Sequence, residues 1–145
     1  MNRPEERVQR ELVAYLRANL PKPWLVFHVP NGGGRSKAEA GILKAMGVLA
    51  GVPDLLVIGP LPEGTVSFWS DTVAASSIVA IELKAPPKRL RSGLLSNAKP
   101  RLNPSQRSLQ ADLGACGVPV LVCDSVVGAV TALQGLGVPL RGRVQ

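Results

Sequence analysis

The spacing of apolar residues predicts an amphipathic helix at the start of the chain. Val8, Leu12 and Leu16 recur every four residues between positions 4 and 19, which places them on one helical face. Pro4 suits the first turn, because the N–H that proline lacks needs no partner there. Three more helices are predicted over residues 37–46, 104–116 and 125–136, and their candidate caps are Ser36, Asn103 and either Asp124 or Ser125.

Short aliphatic runs predict the strands. The runs at residues 54–58 and 77–84 are almost continuously apolar, which is typical of strands buried on both faces. Weaker runs predict strands over residues 24–29, 65–69 and 118–123. Helices and strands are thus interleaved, which predicts an α/β fold with a small mixed sheet flanked by helices. The length of 145 residues suits one domain with its own core.

The charge pattern indicates a polyanionic partner. The chain has 17 Lys and Arg but only 10 Asp and Glu, a net charge of +7. A basic protein is drawn to nucleic acid by electrostatic steering and counterion release. Residues 85–103 contain five basic residues and no acidic one, and we expect them to form a flexible loop that follows a DNA backbone. Residues 138–145 are expected to form a loose tail.

Several classes of protein are excluded by what the sequence lacks. Cys116, Cys123 and His28 do not have the spacing of a zinc site. The glycines at 32–34 fit neither the phosphate-loop nor the dinucleotide pattern, so no nucleotide cofactor is expected. No apolar stretch is long enough to span a bilayer, and the first residues lack the apolar run of a signal peptide. We therefore expect no membrane partner and a cytoplasmic location.

Charged residues stand at the ends of two apolar strands. Asp54 opens one predicted strand, and Glu82 and Lys84 close another. Glu82 and Lys84 project to the same side because they are two residues apart, and Asp54 joins them if the strands are neighbours. Two carboxylates beside an ammonium suit a phosphodiester-cleaving centre with Mg²⁺ or Mn²⁺, to which the carbonyl of Leu83 can add a ligand. Alternatively, these charges have only a structural role, as an ion pair of Lys84 with either Glu82 or Asp54.

Five short motifs, in a fixed order, give the chain a resemblance to a known family. Pro53-Asp54 and Glu82-Leu83-Lys84 look like the PD-(D/E)xK nuclease motif. More specifically, the chain resembles the VRR-NUC (virus-type replication-repair nuclease) family from about residue 5 to residue 133. Residues 51–52 extend the first of these motifs and residue 81 extends the second, and the other three motifs are residues 5–9, 29–33 and 102–106.

The resemblance implies a restriction-endonuclease-like core and a metal-dependent endonuclease that acts on structured DNA. Stand-alone phage and bacterial members of the family are associated with Holliday-junction resolution and with homodimers. Larger relatives carry the domain at the end of a DNA repair protein. This chain is similar to the stand-alone kind, although its segments 60–77 and 85–103 are longer than the family pattern.

Two further site residues come from the family pattern. The resemblance implies that Glu5 helps to bind the metal, and Glu5 shares a helical stripe with Val8 and Leu12; Glu6 and Glu11 remain alternatives. It also implies that Gln106 lies near the attacking water. The expected catalytic residues are Asp54, Glu82, Lys84 and Gln106, and the expected metal ligands are Glu5, Asp54, Glu82 and Leu83.

Candidate DNA-binding residues flank this site in sequence. The glycine-rich segment after the first strand can present backbone N–H groups to a phosphate. Gln9 is a weaker candidate for the support of Glu5, and His28 is expected to be a half-buried strand residue. The candidates for DNA contact are Asn31, Arg35, Lys37, Lys44, Lys88, Arg89, Arg91, Lys99 and Arg101.

Three hypotheses follow for the activity. The leading one is a Mg²⁺- or Mn²⁺-dependent DNA endonuclease that selects branched DNA such as a Holliday junction and acts as a homodimer. The second is a nucleic-acid-binding module that keeps the fold without cutting. The third is a small α/β protein whose strand-end charges are ion pairs only.

Overall fold

The architecture is given by a computed structural model, which describes residues 3–30, 36–60, 76–96 and 101–142. The elements are α1 (Pro4–Asn19), β1 (Leu25–His28), α2 (Lys37–Ala45), β2 (Leu55–Pro60), β3 (Ser76–Leu83), α3 (Pro104–Ala115), β4 (Val120–Cys123) and α4 (Val126–Gly135). These elements confirm the predicted order, and their ends differ from the predicted ones by one or two residues. The strand predicted at 65–69 lies outside the described residues.

The four strands form one mixed sheet in the order β1-β2-β3-β4. Strands β1 and β2 pair antiparallel, and so do β2 and β3, whereas β3 and β4 pair parallel. The parallel pair is joined through a crossover that contains α3, as parallel neighbours require. The predicted α/β class with a small mixed sheet is therefore confirmed.

The core lies between the sheet and the helices α1 and α4. Helix α1 packs against β1, β3 and α4, and its predicted stripe of Val8, Leu12 and Leu16 is buried. Helix α4 adds Ala129, Val130 and Leu133 to the same cluster. Because these side chains are aliphatic and fully enclosed, this packing fixes the position of α1 relative to the strand ends.

Helix α2 differs from the other helices because none of its residues is buried. Its amino terminus has a capping box, in which Ser36 and Glu39 satisfy each other's backbone N–H groups. Its apolar side chains nevertheless face outward: Ile42 is 60% exposed and Met46 is 76% exposed. In the described part of the chain, no other helix or strand packs extensively on α2.

Two segments that were expected to be loose have structure in part. Within residues 85–103, Arg89 and Leu95 form an isolated β-bridge, so the segment is not a structureless loop throughout. In the expected tail, Val138 is buried and Leu140 packs on the core, because the chain returns to α1, where the N–H of Arg141 donates to the carbonyl of Asn19 at 3.1 Å. In the described ranges, no helix is long and apolar enough to cross a membrane.

Candidate active site

The register of β2 and β3 brings the two strand-end carboxylates together. Leu55 pairs with Ile81 in this antiparallel ladder, so the next position along it sets Asp54 opposite Glu82. The side chain of Asp54 turns toward the neighbouring strand, where Oδ2 accepts a hydrogen bond of 2.7 Å from the N–H of Leu83. The two strands are therefore neighbours, which was the condition for Asp54 to join Glu82 and Lys84.

Glu82 is the only charged or polar residue of the described chain that is fully enclosed in the fold, at 3% exposure. The ammonium of Lys84 lies 2.8 Å from its Oε1, as expected for side chains two residues apart on a strand. The amide Nε2 of Gln106 donates to the same oxygen. Glu82 is therefore held by two donors from different parts of the chain.

Gln106 links the start of α3 to the strand-end charges. Its Oε1 accepts from the N–H of Asn103 at 3.0 Å, and its own N–H donates to Oδ1 of Asn103 at 2.8 Å, which completes a capping box. The same Oε1 lies 3.1 Å from Nζ of Lys84. One amide thus caps the helix and connects Lys84 with Glu82.

Gly51 allows α3 to approach the loop that leads to Asp54. A Cβ at this position would lie 2.5 Å from the backbone carbon of Ser105 and 2.7 Å from the backbone nitrogen of Gln106. Its φ of +84° is also unfavourable for any residue with a side chain. The glycine of the Gly-Val-Pro-Asp motif therefore has a packing role: it sets the distance between Asp54 and Gln106.

We expect Gly51→Ala to destabilise the protein and displace Gln106. The added Cβ meets rigid backbone, so the free energy of unfolding should fall by about 2–4 kcal/mol. The matched control is Gly47→Ala, which has a φ of +94° but nothing within 4 Å of the new Cβ, and should cost only about 1 kcal/mol. Urea unfolding measures both; equal losses in the two variants would contradict the close-approach argument.

The first-helix acids fall into two groups. Glu5 and Glu6 line a cleft of about 360 Å³ together with Asp54 and Glu82, whereas Glu11 pairs with Arg7 at 3.7 Å on the exposed side of α1. Glu5 is exposed rather than turned into the core, and its Oε1 accepts from the N–H of Ala85 at 3.0 Å. Glu5 is thus the helix acid that contacts the backbone just after the strand carrying Glu82.

His28 lies in the same cleft, so the expectation of a half-buried strand histidine is wrong. β1 ends at His28, where the side chain is exposed. Its Nδ1 is 2.8 Å from the carbonyl oxygen of Asp54 and 2.9 Å from Nε2 of Gln9. A carbonyl only accepts, so Nδ1 is assigned the proton that it donates to Asp54. His28 therefore supports the main chain of Asp54, whereas Gln9, which was expected to support Glu5, lies against His28.

The electrostatics of the site disfavour two ionised carboxylates. Burial raises the pKa of Asp54 above its ordinary 3.8, against the opposing effects of the Leu83 N–H and of Lys84. Burial also raises the pKa of Glu82 above its ordinary 4.5, and the neighbouring Asp54 charge adds to that rise. The bond from Lys84 offsets only part of this effect. The cleft thus concentrates negative charge that a cation would neutralise.

Comparison with known proteins addresses the fold. No family model matches the sequence, and no curated protein matches it. A solved structure described as a "VRR_NUC domain protein" superposes with a TM-score of 0.59 at 19% identity, over 93% of this chain and 88% of the other. Because the superposition covers nearly all of both chains, it compares whole folds rather than one motif. This chain has the VRR-NUC fold.

The VRR-NUC fold agrees with the restriction-endonuclease-like core expected from the sequence. On that fold the expected catalytic residues share one cleft: Asp54, Glu82, Lys84 and Gln106 all line it, as do Glu5 and Leu83. Sequence reasoning missed Arg3, which also lines the cleft. Its position two residues before Glu5, at the start of α1, was the available signal.

The oxygen donors in the cleft of this VRR-NUC fold suit a hard divalent cation. Among the residues described, no three His, Cys, Asp or Glu side chains are grouped so as to hold a metal ion by themselves. Mg²⁺, however, keeps several waters and commonly takes only one or two carboxylates. Asp54 and Glu82 are two carboxylates of raised pKa at one cleft, so the donor set fits such an ion.

The basic candidates lie outside the cleft. Lys37 and Lys44 are exposed on α2, and Arg101 is exposed just before α3. Lys88, Arg89 and Arg91 are exposed in the segment that follows Lys84. Asn31, Arg35 and Lys99 lie outside the described residues. The described candidates are therefore exposed, and none of them lines the cleft.

Proposed function

We propose that this chain is a Mg²⁺- or Mn²⁺-dependent DNA endonuclease. The observation that carries the proposal is the convergence of Asp54, Glu82, Lys84 and Gln106 in one cleft of a nuclease-type fold. These residues come from two strand ends and one helix start. Glu82, Lys84 and Gln106 contact one another, and Asp54 accepts from the N–H of Leu83, which lies between Glu82 and Lys84. Paired carboxylates with an adjacent ammonium are the groups that phosphodiester hydrolysis requires.

The carboxylates would hold the metal. Asp54 and Glu82 are the principal ligands, and Glu5 and the carbonyl of Leu83 are the additional ones. When bound, the ion polarises the scissile phosphate and lowers the pKa of a coordinated water. The raised pKa of Asp54 and Glu82 favours this role, because bringing a cation to two desolvated carboxylates relieves their mutual repulsion.

Lys84 and Gln106 would act on the phosphate and the water. The ammonium of Lys84 is fixed between Glu82 Oε1 and Gln106 Oε1, at 2.8 Å and 3.1 Å. A cation held there stabilises negative charge that develops on the phosphate oxygens. Gln106 keeps this cation in place and offers amide hydrogen bonds to the attacking water.

The proposed substrate is branched DNA, and the proposed form is a homodimer in the cytoplasm of a bacterial or phage-infected cell. The exposed apolar surface of α2 and of the residues that follow it supports the dimer: Ile42, Met46 and Leu49 are 60%, 76% and 58% exposed. A groove beside it continues to Gly51, three residues before Asp54. A second copy seated there would bring two sites together, so that two strands are cut symmetrically.

The experiment is a panel of labelled DNA substrates incubated with Mg²⁺, Mn²⁺ or EDTA. The panel contains a four-way junction, a flap, a nicked duplex and a linear duplex of the same sequence. We expect cleavage of the junction and flap with either metal, none with EDTA, and a mass in solution of twice 15.2 kDa. Cleavage in EDTA, or no cleavage of any substrate with either metal, would overturn the proposal.

A non-cleaving DNA-binding module is the second candidate. It is supported by the net charge of +7 and by the exposure of the described basic residues outside the cleft. It predicts salt-sensitive binding to DNA with no turnover in either metal. The same panel, repeated at two salt concentrations with binding measured beside cleavage, separates the two candidates.

A further inference from the structure

A small hairpin follows the strand that carries Glu82 and Lys84. The N–H of Leu90 donates to the carbonyl of Leu94 at 2.7 Å, and the N–H of Ser96 donates to the carbonyl of Lys88 at 2.8 Å. The turn closes through Gly93, whose φ is +81° and whose position has open space within 4 Å. Residues 88–96, hereafter the hairpin, therefore form a defined and projecting element.

The hairpin has an apolar face beside a basic one. Arg89 pairs with Leu95, so the next pair toward the turn is Leu90 with Leu94, and directly opposed residues project to one side. Leu90 is 50% exposed and Leu94 is 69% exposed. Arg91 lies in the turn, and Lys88 and Arg89 precede it. Two adjacent solvated leucines flanked by three cations are an unusual composition for a turn.

We propose that the hairpin is a wedge for DNA at a branch point. Leu90 and Leu94 would enter the gap between base pairs where the duplex is already opened, and Lys88, Arg89 and Arg91 would contact the flanking phosphates. Insertion of apolar side chains costs least at steps that are unstacked, so the wedge favours branched over linear DNA. This inference rests on the proposed function and identifies the element that selects its substrate.

Charge favours DNA over a second copy of this chain as the occupant. In a two-fold contact between hairpins, three cations of one copy would face three of the other, and like charges repel. DNA supplies phosphates for the cations and apolar base faces for the leucines. The exposed apolar surface of α2 lies elsewhere and carries the proposed dimer contact.

The position of the hairpin limits where the cut falls. Five residues lie between Lys84 and Leu90, so the six steps of the chain that join them span at most about 20 Å. The base of this connection is held by the bond between the N–H of Ala85 and Glu5 at 3.0 Å. At about 3.4 Å per base pair, 20 Å corresponds to about six base pairs. Cleavage should therefore map within about six nucleotides of the branch point.

The test is the double variant Leu90→Ser/Leu94→Ser, with Leu95→Ser as the matched control. Leu95 is 59% exposed in the same hairpin but projects to the opposite side. The substrate carries 2-aminopurine beside the branch, and binding is measured with Ca²⁺ in place of Mg²⁺. We expect wild type and Leu95→Ser to raise the fluorescence by unstacking that base. In the double variant the rise should disappear, and the affinity ratio of branched to linear DNA should fall about tenfold.

The outcomes of this experiment test the wedge independently of the proposed nuclease activity. An unchanged fluorescence rise and affinity ratio in the double variant would overturn the wedge even if branched DNA is cut normally. Binding and unstacking by wild type without cleavage in Mg²⁺ or Mn²⁺ would sustain the wedge and overturn the nuclease. A double variant that becomes monomeric would show that the leucines contact a second copy, which also overturns the wedge. Thermal unfolding confirms that the variants are folded.

Discussion

Asp54→Asn should reduce the rate of DNA cleavage by at least about 10³-fold while the protein stays folded. Asparagine has nearly the shape of aspartate, and its Oδ1 can still accept the hydrogen bond that the N–H of Leu83 makes at 2.7 Å. It lacks the negative charge that a divalent cation needs. The chemistry is therefore lost without loss of the strand-end geometry.

Metal binding gives a second measurement of the same variant. A cation that binds only the folded state raises the melting temperature, and the rise grows with the logarithm of its concentration relative to its dissociation constant. We expect Mg²⁺ or Mn²⁺ to raise the melting temperature of wild type and to leave that of Asp54→Asn unchanged. Glu11→Gln is the control, because Glu11 lies outside the cleft. Equal stabilisation of wild type and Asp54→Asn by metal would contradict the assignment of Asp54 as a ligand.

Glu82→Gln should abolish cleavage and yet stabilise the protein at neutral pH. Burial raises the pKa of Glu82, so the folded state binds a proton more readily than the unfolded state. The stability of wild type then falls as pH rises from the ordinary pKa of 4.5 through the raised one. Glutamine removes this penalty and keeps an oxygen for Lys84, so we expect a gain of about 1 kcal/mol at pH 8 that shrinks toward pH 4.

Lys84→Met should change the stability in the opposite direction to Glu82→Gln. It also stops cleavage, but it leaves the buried carboxylate without its cation, which should cost about 3 kcal/mol at pH 8. Urea unfolding of both variants at pH 5 and pH 8 measures the difference. A stability loss in Glu82→Gln comparable to that in Lys84→Met would favour a purely structural ion pair, the reading in which these charges only hold two strand ends together.

The sequence was sufficient for the elements because their signals are local. The helical spacing of Val8, Leu12 and Leu16 predicted α1, and the continuous aliphatic runs predicted β2 and β3. The side-by-side placement of Glu82 and Lys84 also followed from the two-residue period of a strand. These inferences need no knowledge of which elements meet, which is why the structure confirms them.

The remainder depends on contacts between distant segments. Gly51 approaches Ser105 only when α3 packs beside the sheet. His28 likewise contacts the carbonyl of Asp54 only when the sheet assembles. The exposure of α2 could not be predicted from the sequence either, because Ile42 and Met46 have the spacing of a buried helical face. In the 85–103 segment, the hairpin depends on weak local pairing around Gly93, and its content of Pro, Gly and Ser predicted only a loop.

The capping box of α3 also has a consequence for the order in which the protein becomes active. Gln106 is the last of the site residues to leave the ribosome, and its amide reaches Glu82 and Lys84 only once Asn103 has closed the first turn of the helix. A nascent chain that ends before this turn carries the two strand-end carboxylates and Lys84, but it lacks the amide that links Lys84 to Glu82. Translation itself thus delays the assembly of the proposed catalytic centre.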